Sequence, residues 1–255
     1  MESTAGNTSK WNRDISIIIP VKDEEKNISS LAEEIEMNME ATSWSWECLW
    51  IDDGSTDQTA AALEQIAARD ARHQFLILSR NYGQSAALYT GFCHSNGKVL
   101  VTMDGDGQND PSDIPVLVNH LLDNDLDAVN GWREKRRDSF VRKASSSIAN
   151  AFRNWLTKDQ VKDVGCSMRA FRHPCVERVP LFKGMHRFLP TLFRIAGYQR
   201  IIEVPVKHRP RRHGYTKYGV HNRLWVGIID CLAVRWMKAR MVNPSIRTSS
   251  LKERE

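Results

Sequence analysis

Long apolar runs are missing. None approaches the ~18 residues that a bilayer-crossing helix needs, so no segment is expected to span a membrane by itself. Cysteine is scarce and odd in number: the five residues, Cys48, Cys93, Cys166, Cys175 and Cys231, form no CxxC pair. That argues against a disulfide frame and a zinc site, and it fits a reducing cytosol. No secretory signal is recognisable ahead of Ile15, and there is no internal repeat or low-complexity stretch.

What is present is a chain of 255 residues, 41% hydrophobic and 26% charged, enough for one large domain with an appended element. Its net charge of +5 conceals a division. Residues 1–130 hold 8 Lys and Arg against 22 Asp and Glu, a net −14, and residues 131–255 hold the other 28 and 9, a net +19. An acidic half able to hold a cation is followed by a basic half able to attract phosphate, whether of a small molecule or of nucleic acid.

Ahead of Ile15 the chain is polar, and a disordered tail over residues 1–14 is expected. From there short apolar runs alternate with helical patterns. The runs "ISIIIPV", "WECLWID", "QFLILS", "KVLVTMD" and "DAVNGW" read as strands. Helices are expected from about Glu24 to Ala41, from about Asp57 to Arg69, over "QSAALYTGFCHS" and after Pro111. Strands that are apolar nearly throughout and alternate with helices argue for βαβ units in a parallel sheet covered on both faces. Such sheets bind ligands at the carboxyl ends of their strands. Four loops, "PVKDEE", "DDGSTD", "SRNYG" and "DGDGQNDP", then share one rim.

Asp, Asn and Gly favour any tight turn. In the last of these loops, however, Asp104 and Asp106 stand one residue apart on unhindered glycine backbone and offer hard oxygens to Mg²⁺ or Mn²⁺. Such an ion takes one or two protein carboxylates and completes its shell with waters and substrate phosphates. In "DDGSTD", Ser55 or Thr56 is placed to cap the next helix, while two adjacent carboxylates at a strand end make Asp53 a ligand candidate.

In order and spacing, "PVKDEE", "IDDGSTD", "RNYGQSAALYTGF" and "VTMDGDGQNDP" resemble the family 2 glycosyltransferases of the GT-A fold. With "KGMHRFLP" and "VPVKHRPRRHGYTKYG" they resemble, more narrowly, the dolichol-phosphate-mannose synthase-like, polyprenyl-phosphate glycosyltransferase branch. The resemblance runs from about Ile15 to Arg240. It implies a Rossmann-like α/β domain, with a mostly parallel central sheet and helices on both faces, over residues 15–220. It also implies that Asp104 and Asp106 hold the metal against a nucleotide-sugar diphosphate, with Gln108 beside the sugar. Pro20, Asp23, Glu24 and Asp53 would line the nucleoside pocket. Arg211 and Lys217 match basic residues that clasp the diphosphate, and Arg133 and Arg142 match those that receive the acceptor phosphate. Lys22 stands where an aromatic is common and Asp23 where Asn is common, which leaves UDP or GDP open.

Transfer from a nucleoside diphosphate needs charge stabilised on the leaving phosphates, which a dication and cationic side chains supply. A phosphomonoester acceptor, with a second pKa of about 6, is largely ionised at neutral pH and needs no base. The basic run "GWREKRRDSFVRK" offers a site for it. His186 and Arg187 in "MHRF" are further candidates near sugar or acceptor. The expected activity is therefore metal-dependent, inverting transfer of a hexose to a polyprenyl or dolichyl phosphate. One rival is transfer to a saccharide hydroxyl, which needs a base and makes Asp163 in "DVGC" the residue to watch. Another is a non-enzymatic nucleic-acid module using "HRPRRHGYTK" with Tyr215 and Tyr218 for stacking; it leaves the acidic rim unexplained, and no nucleic-acid partner is expected.

The stretch "RLWVGIIDCLAVRWMKAR" predicts an amphipathic helix over residues 221–240, ahead of a flexible tail over 241–255. Trp225, Ile228, Ile229, Leu232 and Trp236 recur at helical spacing, with Arg223, Arg235, Lys238 and Arg240 near the ends. Core packing is the commoner meaning of such a stripe, but Trp flanked by cations also suits an interfacial helix. Peripheral attachment to the cytoplasmic face of a membrane is the expectation, with or without an integral membrane protein docked on the helix.

Overall fold

The computed structural model describes residues 11–133, 151, 153–157, 159–211 and 223–242. Four strands, β1 (Arg13–Val21), β2 (Trp46–Asp52), β3 (His73–Ile77) and β4 (Gly97–Thr102), alternate with α1 (Glu25–Glu40), α2 (Thr59–Arg69) and α3 (Gln84–His94). There follow α4 (Asp113–Asp123), β5 (Ala128–Arg133), β6 (Arg169–Arg172), α5 (Leu189–Ile195), β7 (Ile201–Val206) and α6 (Arg223–Arg240). The strands join in one sheet of order β3-β2-β1-β4-β6-β5-β7.

The run of isoleucines in β1 explains its central place. Ile15, Ile17 and Ile19 feed one core, with Ile28, Leu31 and Ile35 of α1 and Leu117 and Leu121 of α4. Ile18 feeds the other, with Leu88 and Phe92 of α3, Leu192 and Phe193 of α5, and Val234 of α6. A strand buried on both faces has no polar side to alternate with, and each aliphatic chain so buried contributes about 1.5–3 kcal/mol. In α1 the buried positions 28, 31, 32, 35 and 39 form the stripe that helical periodicity demands.

Two features go beyond the sequence expectation, one a boundary and one a strand direction. β1 begins at Arg13, and Trp11 stacks on His173 with ring centroids 4.9 Å apart, so the expected tail over 1–14 already contains placed residues. More consequential, β6 runs antiparallel to both β4 and β5 while the other pairings are parallel. Thr102, the last residue of β4, lies opposite Arg169, the first of β6. The carboxyl ends of the parallel strands therefore share their rim with the start of β6.

Candidate active site

The first two rim loops are tied to each other. Asp23 N–H donates to Ser55 Oγ at 2.8 Å, and Asp23 Oδ1 accepts Thr56 N–H at 2.8 Å. Asp23 has φ 48°, in the left-handed region that Asp and Asn tolerate better than most residues; this gives a backbone reason for either residue at the position. Lys22 Nζ donates to Gly54 O at 3.0 Å. Gly54 has φ +67°, and a Cβ there would lie 2.5 Å from the Arg80 carbonyl carbon, so only glycine fits without moving the third loop.

Asp53 is a clamp on that third loop. It is 5% exposed, and its two carboxylate oxygens accept the N–H groups of Tyr82 at 2.7 Å and Gly83 at 2.8 Å. The segment so fixed leads into α3, whose first residue, Gln84, donates from Nε2 to Asp104 Oδ1 at 2.8 Å. Asp104 N–H donates to Asn109 Oδ1 at 2.9 Å, and Asn109 Oδ1 also accepts Ser167 Oγ–H at 3.0 Å. Gly107, at φ +72°, turns the loop so that Gln108 N–H reaches Asp106 Oδ1 at 3.0 Å. Asp106 Oδ2 pairs with Arg211 Nη2 at 2.6 Å. Burial and the neighbouring Asp106 push the Asp104 carboxyl up to about 6. Two neighbouring carboxylates, one of them buried, are the donor set that a hard divalent cation relieves.

These groups wall a cleft of about 150 Å³ containing Pro20, Lys22, Glu24, Asp53, Asp104, Asp106 and Arg211. Glu24 Oε2 accepts Asn27 Nδ2–H at 2.6 Å. Of the residues expected on the donor side, Asp23 lies in the loop framework outside the cleft's lining, and Gln108 turns its amide toward His208 Nε2 and Arg209 O, at 3.5 and 3.4 Å, lining neither this cleft nor the next cavity. Lys217 and Arg142 lie outside the described residues.

A second cavity of about 290 Å³ adjoins the first through Gln84 and Asp104, and is otherwise lined by Thr102, Ser167, Arg169, His186, Arg187 and their neighbours. His186 and Arg187 are thus at the site. Ser85 Oγ accepts Gly184 N–H at 3.0 Å and lies 2.8 Å from His186 Nδ1. Burial foremost, with Arg187 and Arg169 nearby, pulls the His186 imidazole down to about 3, so the ring is neutral at physiological pH. Arg133 and Asp163 meet each other instead of the cavity: Nε–Oδ2 is 2.7 Å and Nη2–Oδ1 is 2.9 Å, a bidentate pair. Gln84, Ser85, Asn109 and Arg169 were missed in the sequence. The "QSAALYTGF" motif carried the first two, whereas Arg169 gave no local signal, since an arginine inside a four-residue strand reads as an exposed position.

The last helix turns Ile229, Leu232 and Trp236 outward. Val234 is fully buried and Cys231 is 5% exposed, while Ile229, Leu232 and Trp236 are 63%, 52% and 64% exposed. Trp155 is exposed as well. Arg235 and Lys238 donate to the carbonyls of Leu156 and Thr157, tying α6 to helical residues 153–157. No described helix is long and apolar enough to cross a membrane.

Similarity to known proteins follows the same geography. The chain is 36% identical over 234 residues to dodecaprenyl-phosphate galacturonate synthase of Rhizobium johnstonii, covering 91% of this chain and 69% of that one. It is 33% identical over 235 residues to undecaprenyl-phosphate 4-deoxy-4-formamido-L-arabinose transferase of Edwardsiella ictaluri, covering 91% and 72%. Among solved structures, glucosyl-3-phosphoglycerate synthase from Mycobacterium tuberculosis in complex with Mn²⁺, UDP and glucosyl-3-phosphoglycerate aligns with TM-score 0.66 at 19% identity, over 91% of this chain and 82% of that one. That likeness establishes a shared GT-A-type fold. The family description "Glycosyl transferase family 2" matches residues 16–179, from the buried core of β1 past β6, and so takes in every strand that borders Asp104. With its fold, its acidic rim and its relatives in agreement, the chain belongs to glycosyl transferase family 2.

Proposed function

We propose that this glycosyltransferase moves a glycosyl group, with inversion, from a UDP- or GDP-linked sugar to a polyprenyl phosphate at a membrane surface. The observation that carries the reading is the position of Asp104 on the wall between two cavities. One is acidic at its base and edged by Lys22 and Arg211; the other holds the cationic side chains Arg169 and Arg187. An in-line displacement needs the leaving diphosphate and the nucleophile on opposite sides of the anomeric carbon. Two compartments meeting at one carboxylate suit that requirement.

Asp104 and Asp106 are the residues that would hold Mg²⁺ or Mn²⁺, and such an ion, when bound, neutralises charge on the leaving diphosphate. Arg211, held at 2.6 Å on Asp106, adds a cation on the donor side. Gln84 orients Asp104, and Asp53 fixes the loop that delivers Gln84. In this reading Arg211 and Lys217 contact the diphosphate, and Arg133 and Arg142 serve the acceptor side, Arg133 oriented by Asp163. Both Asp163 oxygens accept from Arg133, which suits orientation and disfavours a saccharide hydroxyl acceptor, for which a free base is needed. The two relatives' names carry different sugars, one a uronic acid and one a formamido pentose. The transferred group is therefore proposed as a glycosyl unit, the hexose of the sequence expectation being one case.

Transfer of radiolabel from a panel of nucleotide-sugars to a short polyprenyl phosphate tests the reading. An acid-labile lipid-linked product, lost in chelator and restored by Mn²⁺ or Mg²⁺, is expected, and Asp104→Ala and Asp106→Ala should abolish it. Full activity in chelator would end the metal assignment. Absence of any lipid product across the panel would end the acceptor assignment.

A further inference from the structure

Arg169 is 3% exposed. Its guanidinium has five N–H donors, yet the structure gives it one hydrogen bond, from Nη2 to Val164 O at 3.3 Å, and no salt bridge among the described residues. Asp104 and Asp163 act on it through space without closing an ion pair, and burial lowers its pKa. A buried cation without a bonded anion is costly to maintain. The fold nevertheless places this one at the first residue of β6, on the wall of the 290 Å³ cavity. Directly opposite in register on β5 is Asn130, 3% exposed, whose side-chain oxygen and nitrogen are both buried without a hydrogen-bond partner. Polar capacity is concentrated where no side chain uses it.

His186 adds a neutral donor to the same cavity. Because Ser85 Oγ accepts Gly184 N–H, its own proton is available to His186 Nδ1 at 2.8 Å. The remaining ring proton then sits on Nε2.

We propose, resting on the acceptor class named above, that Arg169, with the His186 Nε2–H beside it, holds the acceptor's phosphomonoester in this cavity as a contact additional to the Arg133 and Arg142 named in that reading. An oxyanion there lies next to Asp104 and across it from the nucleotide cleft, the side from which a nucleophile must approach. Nothing has to be deprotonated, and neither side chain changes protonation state. The same oxyanion chemistry has a second conceivable source, a carboxylate on the donor sugar, and the assay separates the two.

The test uses the full chain with farnesyl phosphate as a soluble acceptor and a neutral-sugar donor, comparing wild type with Arg169→Lys, Arg169→Gln and His186→Gln. Expected is a rise of roughly tenfold or more in acceptor KM for Arg169→Gln, with a smaller rise for Arg169→Lys, which keeps the charge and loses the planar fork. Nucleoside diphosphate affinity in Mn²⁺, read by calorimetry, should stay within about twofold of wild type for every variant. Calorimetry with inorganic phosphate gives a second readout: wild type binds, and Arg169→Gln binds at least several-fold more weakly. Unchanged acceptor KM in folded Arg169→Gln and Arg169→Lys overturns the inference while leaving the glycosyl-transfer reading intact. So does an unchanged acceptor KM together with a rise in donor KM that appears only in a parallel run on a donor whose sugar bears a carboxylate, the result expected of a sugar carboxylate. If Arg169→Gln does not fold, Arg169→Lys and His186→Gln decide by the same acceptor KM. A wild type that cannot use farnesyl phosphate at all overturns the reading on which this rests, and this contact with it.

Discussion

Asp53→Asn separates two meanings of a carboxylate on the rim. Both oxygens are occupied by backbone donors, Tyr82 N–H at 2.7 Å and Gly83 N–H at 2.8 Å, in a residue 5% exposed. The amide is nearly isosteric, so no cavity opens, but one oxygen becomes an NH₂ group facing an N–H. One charge-assisted bond worth about 1.5–3 kcal/mol disappears, and a buried donor is left unsatisfied at a further ~1 kcal/mol or more. The expected loss is roughly 2–4 kcal/mol. For a protein of this size each kcal/mol lowers Tm by about 2–4 °C, so the variant should melt roughly 5–15 °C below wild type. Urea unfolding and a nucleotide titration in Mn²⁺ are run on the same samples. Nucleotide affinity should fall as well, because the freed loop carries Gln84 away from Asp104. A variant as stable as wild type within about 0.5 kcal/mol, yet more than tenfold weaker for nucleotide, would mean that Asp53 touches ligand directly and that the clamp argument is wrong.

Arg133→Ala removes both guanidinium bonds from the nearly buried Asp163 carboxylate, leaving it the backbone N–H groups of residues 133 and 165, and should cost about 3 kcal/mol, while a double-mutant cycle with Asp163→Ala should return a coupling of at least ~1 kcal/mol; additivity would refute the pair. His186 has a folded pKa below its unfolded one, so the unfolded state takes up more protons and stability falls as pH drops from about 6.5 toward about 3. Asp104, raised to about 6, has the opposite slope below that pH, so the informative quantity is the difference between wild type and His186→Gln, which should shrink by roughly 2 kcal/mol from pH 7.5 to 5. A constant difference would show that the ring titrates normally. On α6, Leu232→Glu should leave unfolding within about 0.5 kcal/mol of wild type and weaken co-sedimentation with anionic vesicles. Val234→Ala, at a fully buried position, should cost about 2 kcal/mol and leave co-sedimentation unchanged. Equal vesicle binding by wild type and Leu232→Glu would remove the membrane role.

The first five strands and the helices between them were legible because each is stated locally, by a short apolar run set between helical patterns. The rim followed from the rule that parallel strands bind at their carboxyl ends, and with it Asp104 and Asp106. What escaped depends on partners far away in the chain. β6 is four residues long, two of them arginine, and its direction is set by pairing with β4 and β5 rather than by its own pattern. Asp53 shows the same limit: its place at a strand end was readable, but its bonds to Tyr82 and Gly83 belong to a loop 29 and 30 residues on. On α6 the spacing alone does not say which way Ile229, Leu232 and Trp236 face; Cys231 and Val234, packing inward, turn them outward.

The placement of β6 also bears on how the molecule is made. β4 is central in the finished sheet, but while the polypeptide emerges it is an open edge, and it stays so until Arg169–Arg172 has been synthesised and slots in beside it. Through that interval a nascent chain has its acidic rim but not the arginine opposite Thr102. The wall of the second cavity is therefore completed late, together with the closure of that edge.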